Sequence, residues 1–389
     1  MAHFPKPFFK KSRKLWYVEI ARKQHNLGPD RDAAFQEYAR LMAQPQESRQ
    51  AAARSLPVVI DEFLGWMKSR RAADTFEWYR YRLERLARRY PRCDASRLTV
   101  AMVEDWVDEY SLSVTSRRNY YRAAKKCLKW AKDRGLIKRN RIRQLEVPAG
   151  ESREVVISTP DFQELLANIR NPGLRDLLIT TWETGCRPQE SLRVEARHVD
   201  LANQRWVFPK SESKNRKISR VVYLTDAAAE ITRIQMQAHP TGKLFRNTNG
   251  KPWTPDSVND ALLRVRIRIG KRIMQEKGLT VSDEEIAEFA KSLAPTCRVK
   301  GKTIVKPPRM LFVEARRKLT NKLAASQTPG ISLYALRHTW ATNALQKGVD
   351  PLTTAILMGH SDPSMLSKVY QHVALNPAHM LSQARKAAE

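Results

Sequence analysis

Tyr334-Ala335-Leu336-Arg337-His338-Thr339 stands near the end of the chain, followed by Gly359-His360 and by Tyr370-Gln371-His372-Val373. An arginine, a histidine and a tyrosine thus follow one another across three predicted helices. A second arginine lies upstream, in Thr184-Gly185-Cys186-Arg187-Pro188-Gln189-Glu190. Two arginines can clamp a phosphate through planar forks that keep their charge, and a tyrosine hydroxyl can attack it. The set predicts cleavage of a phosphodiester by a reaction that needs no metal ion.

The charge of the chain points to the same class of substrate. The 389 residues include 70 Lys and Arg against 40 Asp and Glu, which gives a net charge of +30. Unpartnered positive charge repels itself, so such an excess implies a polyanionic partner. Nucleic acid is the expected polyanion, and a ribosomal-type basic protein is the alternative. The length predicts two or three domains.

The sequence also indicates a cellular compartment. It has no apolar window of about 18 residues, so no membrane partner is expected, and Met1–Lys14 contains no apolar run of signal-peptide length. The four cysteines are too widely spaced for a zinc or redox motif. Reduced thiols favour a cytoplasmic protein, and a nucleic-acid partner would make it nucleoid-associated.

The first 45 residues predict a small strand-and-helix unit. Leu15–Ile20 and Lys23–Gly28 have strand character, and a helix is expected over Asp32–Ala43. The strands could lie in a DNA groove as a ribbon, or form a hairpin packed on the next domain. Composition leaves both alternatives open. Residues 44–56 predict a tether.

Residues 57–140 predict a domain of four helices, over Val58–Ser69, Asp74–Tyr90, Thr99–Tyr110 and Thr115–Arg134. Cations on the second and fourth helices far outnumber nearby acids, which favours a phosphate-facing surface over an ordinary solvated face. The expected DNA-binding residues are Arg82, Arg117, Arg118, Arg122, Lys125 and Lys126. Aromatic residues on these helices are expected in the core, namely Trp78, Tyr79, Tyr120 and Tyr121.

A second tether is expected over residues 141–153, before a mixed domain over 154–389. This domain should contain helices near 160–171 and 173–185, a short helix near Glu190, a strand pair at 205–208 and 220–224, and a helix over 226–238. Residues 278–308 look like an insertion with an acidic helix, Ser282–Lys291, followed by a basic, proline-containing loop. From residue 332 onward the pattern is helical.

Cleavage of a phosphodiester without a metal ion requires a nucleophile and a proton donor, and the chain has candidates for both. Tyr370 would attack the phosphate, and a lysine of the 209–219 hairpin would protonate the leaving oxygen. Lys214, Lys210 and Lys217 are all candidates by spacing. His360 could bind the phosphate or assist proton movement. Taken singly, each residue has a simpler reading, for example Arg187 in a structural ion pair with Glu190 or Tyr370 in the core.

The ordered set resembles the tyrosine recombinase family, the phage-integrase-like site-specific recombinases. Its first arginine box is similar to Thr184–Glu190, its second to Tyr334–Thr339, and its third to Met358-Gly359-His360 continuing to Tyr370. The resemblance covers residues 155–389 strongly. Residues 57–140 are more loosely similar to the core-binding domain of the family, and the N-terminal unit to an arm-binding domain.

The resemblance implies a mainly α fold with small β elements (α+β), in which a helical core-binding domain precedes a mixed catalytic domain. It makes Arg187 and Arg337 the phosphate clamp, Tyr370 the nucleophile, His360 the accessory histidine and Lys214 the proton donor. Glu190 would buttress Arg187 from behind, and Tyr334 stands where the family usually has histidine. No cofactor and no metal ion are implied.

The function implied is site-specific recombination through a 3′-phosphotyrosine intermediate, used to integrate or excise a mobile element. Double-stranded DNA is the expected partner, gripped by the two basic domains. The family further implies a homotetramer on two paired sites, with the final helix, Pro377–Ala388, docked on a neighbouring subunit, and accessory DNA-bending proteins as compatible partners. The alternatives are a catalytically impaired architectural or regulatory DNA-binding protein and a type IB topoisomerase.

Overall fold

The computed structural model of the chain divides into two compact units, Met1–Ser152 and Arg153–Glu389. It describes residues 6–20, 23–43, 55–150, 155–213, 218–299, 302–360 and 385. The predicted tether at 44–56 and the two predicted helices after residue 361 lie almost wholly outside these residues. The described part is mainly helical with small antiparallel sheets, which confirms the predicted fold class.

Over its described residues, the first unit combines a three-stranded sheet with five α-helices. Its elements are β1 (Pro7–Lys10), β2 (Leu15–Ile20), β3 (Lys23–Gly28), α1 (Arg31–Ala43), α2 (Leu56–Arg70), α3 (Ala73–Arg89), α4 (Val100–Asp108) and α5 (Val114–Asp133). The strands are antiparallel in the order β1-β2-β3. The predicted strands and helices of this unit are all present. The edge strand β1 was not predicted, because Pro7-Phe8-Phe9-Lys10 has no period-two alternation.

Both faces of the N-terminal sheet are covered. Val18 and Leu27 pack against Ala34 and Leu41 of α1. On the other face Tyr17 is fully buried against Val58 of α2. Alternate residues of a strand face opposite sides, so this sheet is a layer between two helices. Of the two alternatives left open by the sequence, the structure has the packed hairpin.

A buried ion pair fixes that sheet to the second helix. Asp61 of α2 accepts hydrogen bonds from Arg13 and from Lys10, the latter at 3.1 Å. The side chains of Arg13 and Asp61 are only 4% and 8% exposed. Removing one partner of such a pair leaves an uncompensated buried charge. The pair therefore fixes the position of the N-terminal sheet against α2.

The four helices α2 to α5 enclose one aromatic and aliphatic core. Its largest fully buried side chains include Phe63 and Trp106. Tyr120 and Tyr121 are buried in it and Trp78 and Tyr79 pack against it, so the prediction that these aromatic residues form core is confirmed. Each apolar side chain fully buried here stabilises the fold by about 1.5–3 kcal/mol relative to exposure.

The predicted second tether belongs in part to this core. Ile142 is fully buried and Leu145 is 1% exposed, and both pack among the helices. The arginine-rich composition of residues 141–153 hides these two apolar anchors at i and i+3. The prediction of a free tether beginning at residue 141 was therefore wrong.

The second unit is a helical domain built around a small sheet. Its first elements are α6 (Thr159–Ala167), α7 (Pro172–Thr184), α8 (Pro188–Ser191), β4 (Val199–Asp200), β5 (Arg205–Phe208), β6 (Arg220–Tyr223) and α9 (Asp226–Ala238). They are followed by α10 (Pro255–Glu276), α11 (Asp283–Lys291), β7 (Thr296–Val299), β8 (Lys302–Val305), α12 (Pro308–Ser326), α13 (Leu333–Gln346) and α14 (Pro351–Met358). No described helix is both long enough and apolar enough to cross a membrane.

One face of strand β5 packs the β4-β5-β6 sheet against the core of the second unit. Its residues alternate, so that Trp206 and Phe208 are fully buried while Arg205 and Val207 are only partly covered. The buried face joins a core that includes Leu177 and Leu178 of α7. The sheet order is β4-β5-β6 and Phe208 lies opposite Arg220 in the register. The hairpin between these two residues carries the candidate lysines.

The insertion differs from its prediction in one respect. Its acidic helix is present as α11, with Ile286 buried and Asp283 paired to Arg316 of α12 at 2.8 Å. The segment predicted as a basic, proline-containing loop instead forms the hairpin β7–β8. Thr296, Thr303 and Ile304 are β-branched and favour strands, a signal that the surrounding lysines and prolines obscured. The long helices α10 and α12, which flank the insertion, were not predicted.

Candidate active site

The first candidate arginine sits in a turn that only glycine allows. Helix α7 ends at Gly185, whose φ of 58° is left-handed. A Cβ there would lie 2.4 Å from the indole of Trp340, closer than any real contact. Two residues later Arg187 becomes the N-cap of α8, and Pro188 occupies the first helical position, where its missing N–H costs nothing. The sequence of this box thus turns the chain sharply and aims Arg187.

Glu190 holds Arg187 from behind. Its Oε1 accepts a hydrogen bond from Arg187 Nη1 at 2.9 Å, and its Oε2 accepts one from the backbone N–H of Arg187 at 2.8 Å. The carboxylate also contacts a third arginine, Arg220, whose Nε donates to Oε1 at 3.0 Å. Glu190 is 4% exposed, whereas the Arg187 side chain is 24% exposed. Arg187 therefore keeps one side accessible while its position is fixed from the interior.

The charges of the two arginines keep this buried carboxyl ionised. Burial acts to raise the pKa of Glu190, but Arg220 and then Arg187 outweigh burial and hold that pKa below its ordinary value. Hydrogen bonding to the charged form and nearby opposite charge both favour ionisation. Glu190 is therefore an anion at neutral pH.

The second candidate arginine comes from the middle of α13. Arg337 is 3% exposed and donates from Nη1 to the carbonyl of Gly185 at 2.7 Å and from Nη2 to that of Met358 at 2.7 Å. Its Nη2 also lies 3.0 Å from His360 Nε2. Burial lowers the pKa of Arg337 to about 10, and the positive charge of Arg187 acts in the same direction. Arg337 is thus charged at neutral pH but held in a site that favours an anion beside it.

Both arginines converge on the turn that ends α14. Arg187 Nη2 donates to the carbonyl of Gly359, one residue beyond the carbonyl that Arg337 uses. Gly359 has a left-handed φ of 67°, which turns the chain so that His360 faces Arg337. Residues from three separate parts of the chain therefore meet at one turn, as the phosphate-clamp prediction requires. Their chemical roles stay a prediction.

Other predicted residues are placed differently or fall outside the described residues. Tyr370, Lys214 and Lys217 lie outside them, so their predicted roles stay predictions. Tyr334 stands one turn before Arg337 on α13 and is 69% exposed. It is thus at the surface rather than packed behind the buried cluster.

The described root of the hairpin is anchored to the rest of the unit. Lys210 begins a single turn of 3₁₀ helix that ends at Glu212. The Glu212 carboxylate accepts from Arg197 at 2.8 Å and lies 3.1 Å from His198, while its carbonyl accepts from Arg193. Lys210 therefore belongs to a tethered segment and is exposed at its surface.

A basic groove of about 690 Å³ lies in the first unit, between α5 and the segment that follows it. Seven cations line it against a single acid, Asp133. The cations are Arg118, Arg122, Lys125, Lys126, Lys129, Lys132 and Arg143. Four of the six predicted DNA-binding residues are thus brought to one concave surface. A surface of this charge attracts a phosphate backbone.

Two of the predicted DNA-binding residues lie outside this groove and contact their own neighbours. The Arg82 guanidinium stacks on Trp78 at 4.1 Å and donates to the carbonyl of the same residue. Arg117 pairs with Asp108. The groove does not include either of them. Charge counting along a helix cannot separate cations that face a groove from cations that cover their own aromatic or acidic neighbours.

The sequence-based reasoning missed Arg220. It is 8% exposed, and its guanidinium contacts both Glu190 oxygens, at 3.0 and 3.4 Å. A signal did exist, because Arg220 and Val222 share one face of a strand and Val222 is apolar. An arginine on a buried strand face needs a buried acid. Which acid would meet it could not be read from the sequence.

Comparison with known proteins finds a distant curated relative and solved structures with a similar fold. No protein-family model matches the chain. Among curated proteins, IntQ of Escherichia coli (strain K12), whose name describes it as defective, is 23% identical over 271 residues. The match covers 66% of this chain and 60% of IntQ, so the chain spans less than two thirds of that relative.

Solved structures give broader matches. The Tn1549 transposon integrase in complex with transposon right end DNA has a TM-score of 0.57 at 15% identity, over 86% of this chain and 100% of that one. A lambda integrase dimer bound to a COC′ core site has a TM-score of 0.56 at 14% identity, over 95% of each chain. A lambda integrase tetramer bound to a Holliday junction has 0.55 at 14%, over 94% and 98%. These likenesses establish a shared fold.

Proposed function

We propose that this chain, which has the tyrosine recombinase fold, cuts and rejoins double-stranded DNA at specific sites through a covalent 3′-phosphotyrosine intermediate. The observation that carries the proposal is the convergence of Arg187, Arg337 and His360 on the turn at residues 358–360. Their positions lie far apart in the sequence. Among the described residues Glu190 is shared by Arg187 and Arg220, while Arg337 donates to carbonyl oxygens, so positive charge exceeds negative charge at this turn.

The two arginines would bind the scissile phosphate. Negative charge grows on its non-bridging oxygens as the reaction proceeds, and rigid donors that are already in place stabilise it most. Arg337 is buried and Arg187 is fixed by Glu190, so neither must be reorganised. Burial is the main cause of the lowered pKa of Arg337 and the charge of Arg187 adds to it, so an anion between the two arginines would relieve their repulsion.

Tyr370 would supply the nucleophile. Its hydroxyl loses a proton, its oxygen forms a bond to phosphorus, and the bond from phosphorus to the sugar 5′ oxygen breaks. The 5′ oxygen takes up a proton and leaves as a hydroxyl, for which Lys214 is the proposed donor and Lys210 and Lys217 are the alternatives. A free tyrosine has a pKa of about 10, and the two arginines would favour its phenolate. The phosphotyrosine ester keeps the bond energy, so a second 5′ hydroxyl can attack it and reseal the strand.

The basic groove of the first unit would hold the DNA backbone. Its seven cations face one acid, and backbone contacts of this kind release counterions and supply affinity without reading sequence. Arg118, Arg122, Lys125 and Lys126 are the proposed contacts. The two integrases that share the fold were solved in complex with DNA.

The proposal extends to the assembly and its use. Lambda integrase, which shares the fold, was solved as a tetramer on a Holliday junction. By analogy this chain would act as a homotetramer on two paired sites, with accessory DNA-bending proteins as further partners. Integration or excision of a mobile element is the use that fits, and a transposon integrase is among the structures that share the fold.

A nicked suicide substrate tests the reaction directly. Cleavage near a nick releases a short fragment and traps the protein on the DNA, so a covalent adduct should accumulate with the unaltered chain. Tyr370→Phe should bind the same DNA with unchanged affinity and form no adduct. The substrates should be built from the sequences that flank the gene, where direct repeats would mark the attachment sites of a mobile element.

Two controls make the outcome decisive. Tyr223→Phe removes another exposed tyrosine hydroxyl of this unit, at the end of β6, and should still form the adduct. Peptide mapping should locate the linkage at Tyr370. An adduct on another residue would refute the nucleophile, and DNA binding without any adduct would reduce the protein to an architectural role.

A further inference from the structure

Arg220 is a buried arginine that contacts Glu190, and among the described residues it has no task in the proposed reaction. It is the first residue of β6, and it lies opposite Phe208, the last residue of β5. It therefore stands at the root of the hairpin rather than at the phosphate. Its side chain runs inward, away from solvent, toward Glu190.

We propose that Arg220 is a positioning residue that aligns Arg187 and the His360 turn for the reaction, an inference that rests on the proposed function. The geometry gives it two routes of action. Through Glu190 it fixes Arg187, and through residues 356–359 it fixes the turn that carries His360. Arg220 itself would not touch the DNA.

The first route is the shared carboxylate. Arg220 donates from Nε and Nη2 to the two oxygens of Glu190, at 3.0 and 3.4 Å, while Arg187 donates to one of those oxygens from the other side at 2.9 Å. Such a two-point contact fixes the plane of the carboxylate as well as its place. Arg220 also makes the largest contribution to the lowered pKa of Glu190, ahead of Arg187. The carboxylate that aims Arg187 is thus itself aimed and kept charged by Arg220.

The second route is a close contact with the turn. Arg220 Nη1 lies 3.5 Å from the carbonyl of Ile356. A Cβ on Gly359 would lie only 2.7 Å from Arg220 Nε, so the guanidinium packs directly beneath the glycine. The neighbouring carbonyls of this turn accept from Arg187 and Arg337. A shift of Arg220 would therefore move the turn on which both clamp arginines rest.

If Arg220 formed a purely structural ion pair, substituting it would have a different effect. The substitution would lower the stability of the folded protein, and with it the amount of active protein, without changing how the reaction depends on the charge of the phosphate. A positioning role predicts a selective loss of the interaction between Arg187 and the phosphate. Displacing a catalytic group by about 1 Å can cost about 100-fold in rate.

The experiment compares single-turnover cleavage of a suicide substrate by the full chain and its variants. Arg220→Met and Arg220→Lys should bind DNA with unchanged affinity but form the adduct about 100-fold more slowly. Lysine keeps the charge and loses the planar fork, so it provides a folded variant if Arg220→Met does not fold. Arg266→Met is the control, because Arg266 is a half-buried arginine of this unit that donates hydrogen bonds to the carbonyls of Ala325 and Thr328. It should cleave at the normal rate.

Two further readouts separate positioning from a structural effect. In the Arg187→Ala background, Arg220→Met should slow cleavage much less than it does in the unaltered chain, because the route through Glu190 is then lost and only the route through the turn remains. On a substrate with a neutral methylphosphonate at the cleaved position, the defect of Arg220→Met should shrink, because less negative charge then needs a clamp.

The outcomes distinguish the two proposals. Absence of an adduct with the unaltered chain would overturn the proposed function and this inference with it. If both Arg220 variants form the adduct as fast as the unaltered chain does, this inference alone is overturned. Rate losses that multiply in the double variant, or a defect of the same size on the methylphosphonate substrate, would overturn it as well.

Discussion

Replacing Glu190 by glutamine tests the electrostatic core of the site. The substitution keeps the shape of the side chain but removes the negative charge that Arg187 and Arg220 share. Glu190 and Arg220 have side chains only 5% and 8% exposed, so water cannot replace the lost partner. Breaking a buried pair of this kind costs about 3–5 kcal/mol. Three cations, including Arg337, would then face one another without an acid between them.

The expected effect is large enough to measure by thermal unfolding. For a domain of this size each kcal/mol lowers Tm by about 2–4 °C, so Glu190→Gln should melt about 6–20 °C lower at pH 7. Glu230→Gln is the matched control, because Glu230 pairs with Arg233 at the surface. That variant should keep the Tm of the unaltered chain, since exposed pairs contribute little.

The pH dependence gives an independent check. The pKa of Glu190 is lowered in the folded protein, so the ionised pair stabilises the fold above the ordinary value of 4.5 and is lost as the pH falls through the lower, folded value. The difference in Tm between the unaltered chain and Glu190→Gln should therefore be full at pH 7 and shrink below about pH 4. A Glu190→Gln variant that melts within one degree of the unaltered chain at pH 7 would refute this reasoning.

Three further predictions address the turn at Gly359, the ion pair that joins the N-terminal sheet to α2, and the basic groove. Gly359→Ala should lower Tm more than Gly250→Ala, since both glycines are left-handed but only a Cβ at residue 359 meets another atom, Arg220 Nε at 2.7 Å; equal losses would mean that the contact is unimportant. Asp61→Asn should speed hydrogen exchange of the β2 amides in the full chain, because Arg13 would be left buried without its acid; unchanged exchange would show that apolar packing alone seats the sheet. Arg122→Ala should weaken DNA binding and reduce the slope of log affinity against log salt by about 1, whereas Arg82→Ala, outside the groove, should leave that slope unchanged.

The covering of the N-terminal sheet bears on how this unit meets DNA. Its inner face is buried against α2 through Tyr17 and the Arg13–Asp61 pair. A sheet enters a groove only with a free face. The unit is thus, in this structure, a layer of the helical domain, and a groove-binding role would require that layer to detach.

The local pattern of the chain predicted most of its elements correctly. Strands Leu15–Ile20 and Lys23–Gly28 and helix Asp226–Ala238 occur with the predicted bounds, because alternation, helical period and capping residues act over a few neighbours. The failures have local causes too. Lysines and prolines masked the β-branched residues of β7 and β8, and arginines masked Ile142 and Leu145 in the supposed tether.

By itself the sequence determined the class of fold, the basic character of the partner surface and the pairing of two arginine boxes with a histidine and a tyrosine. Those properties depend on residue type and spacing, which a single chain displays. Only the tertiary structure decided that Arg187 and Arg337 donate to adjacent carbonyls of one turn, that Glu190 is shared with Arg220, and that Arg82 and Arg117 turn away from the groove. Such contacts join side chains from elements distant in sequence, and their partners are chosen by how helices and strands pack, which no local pattern encodes.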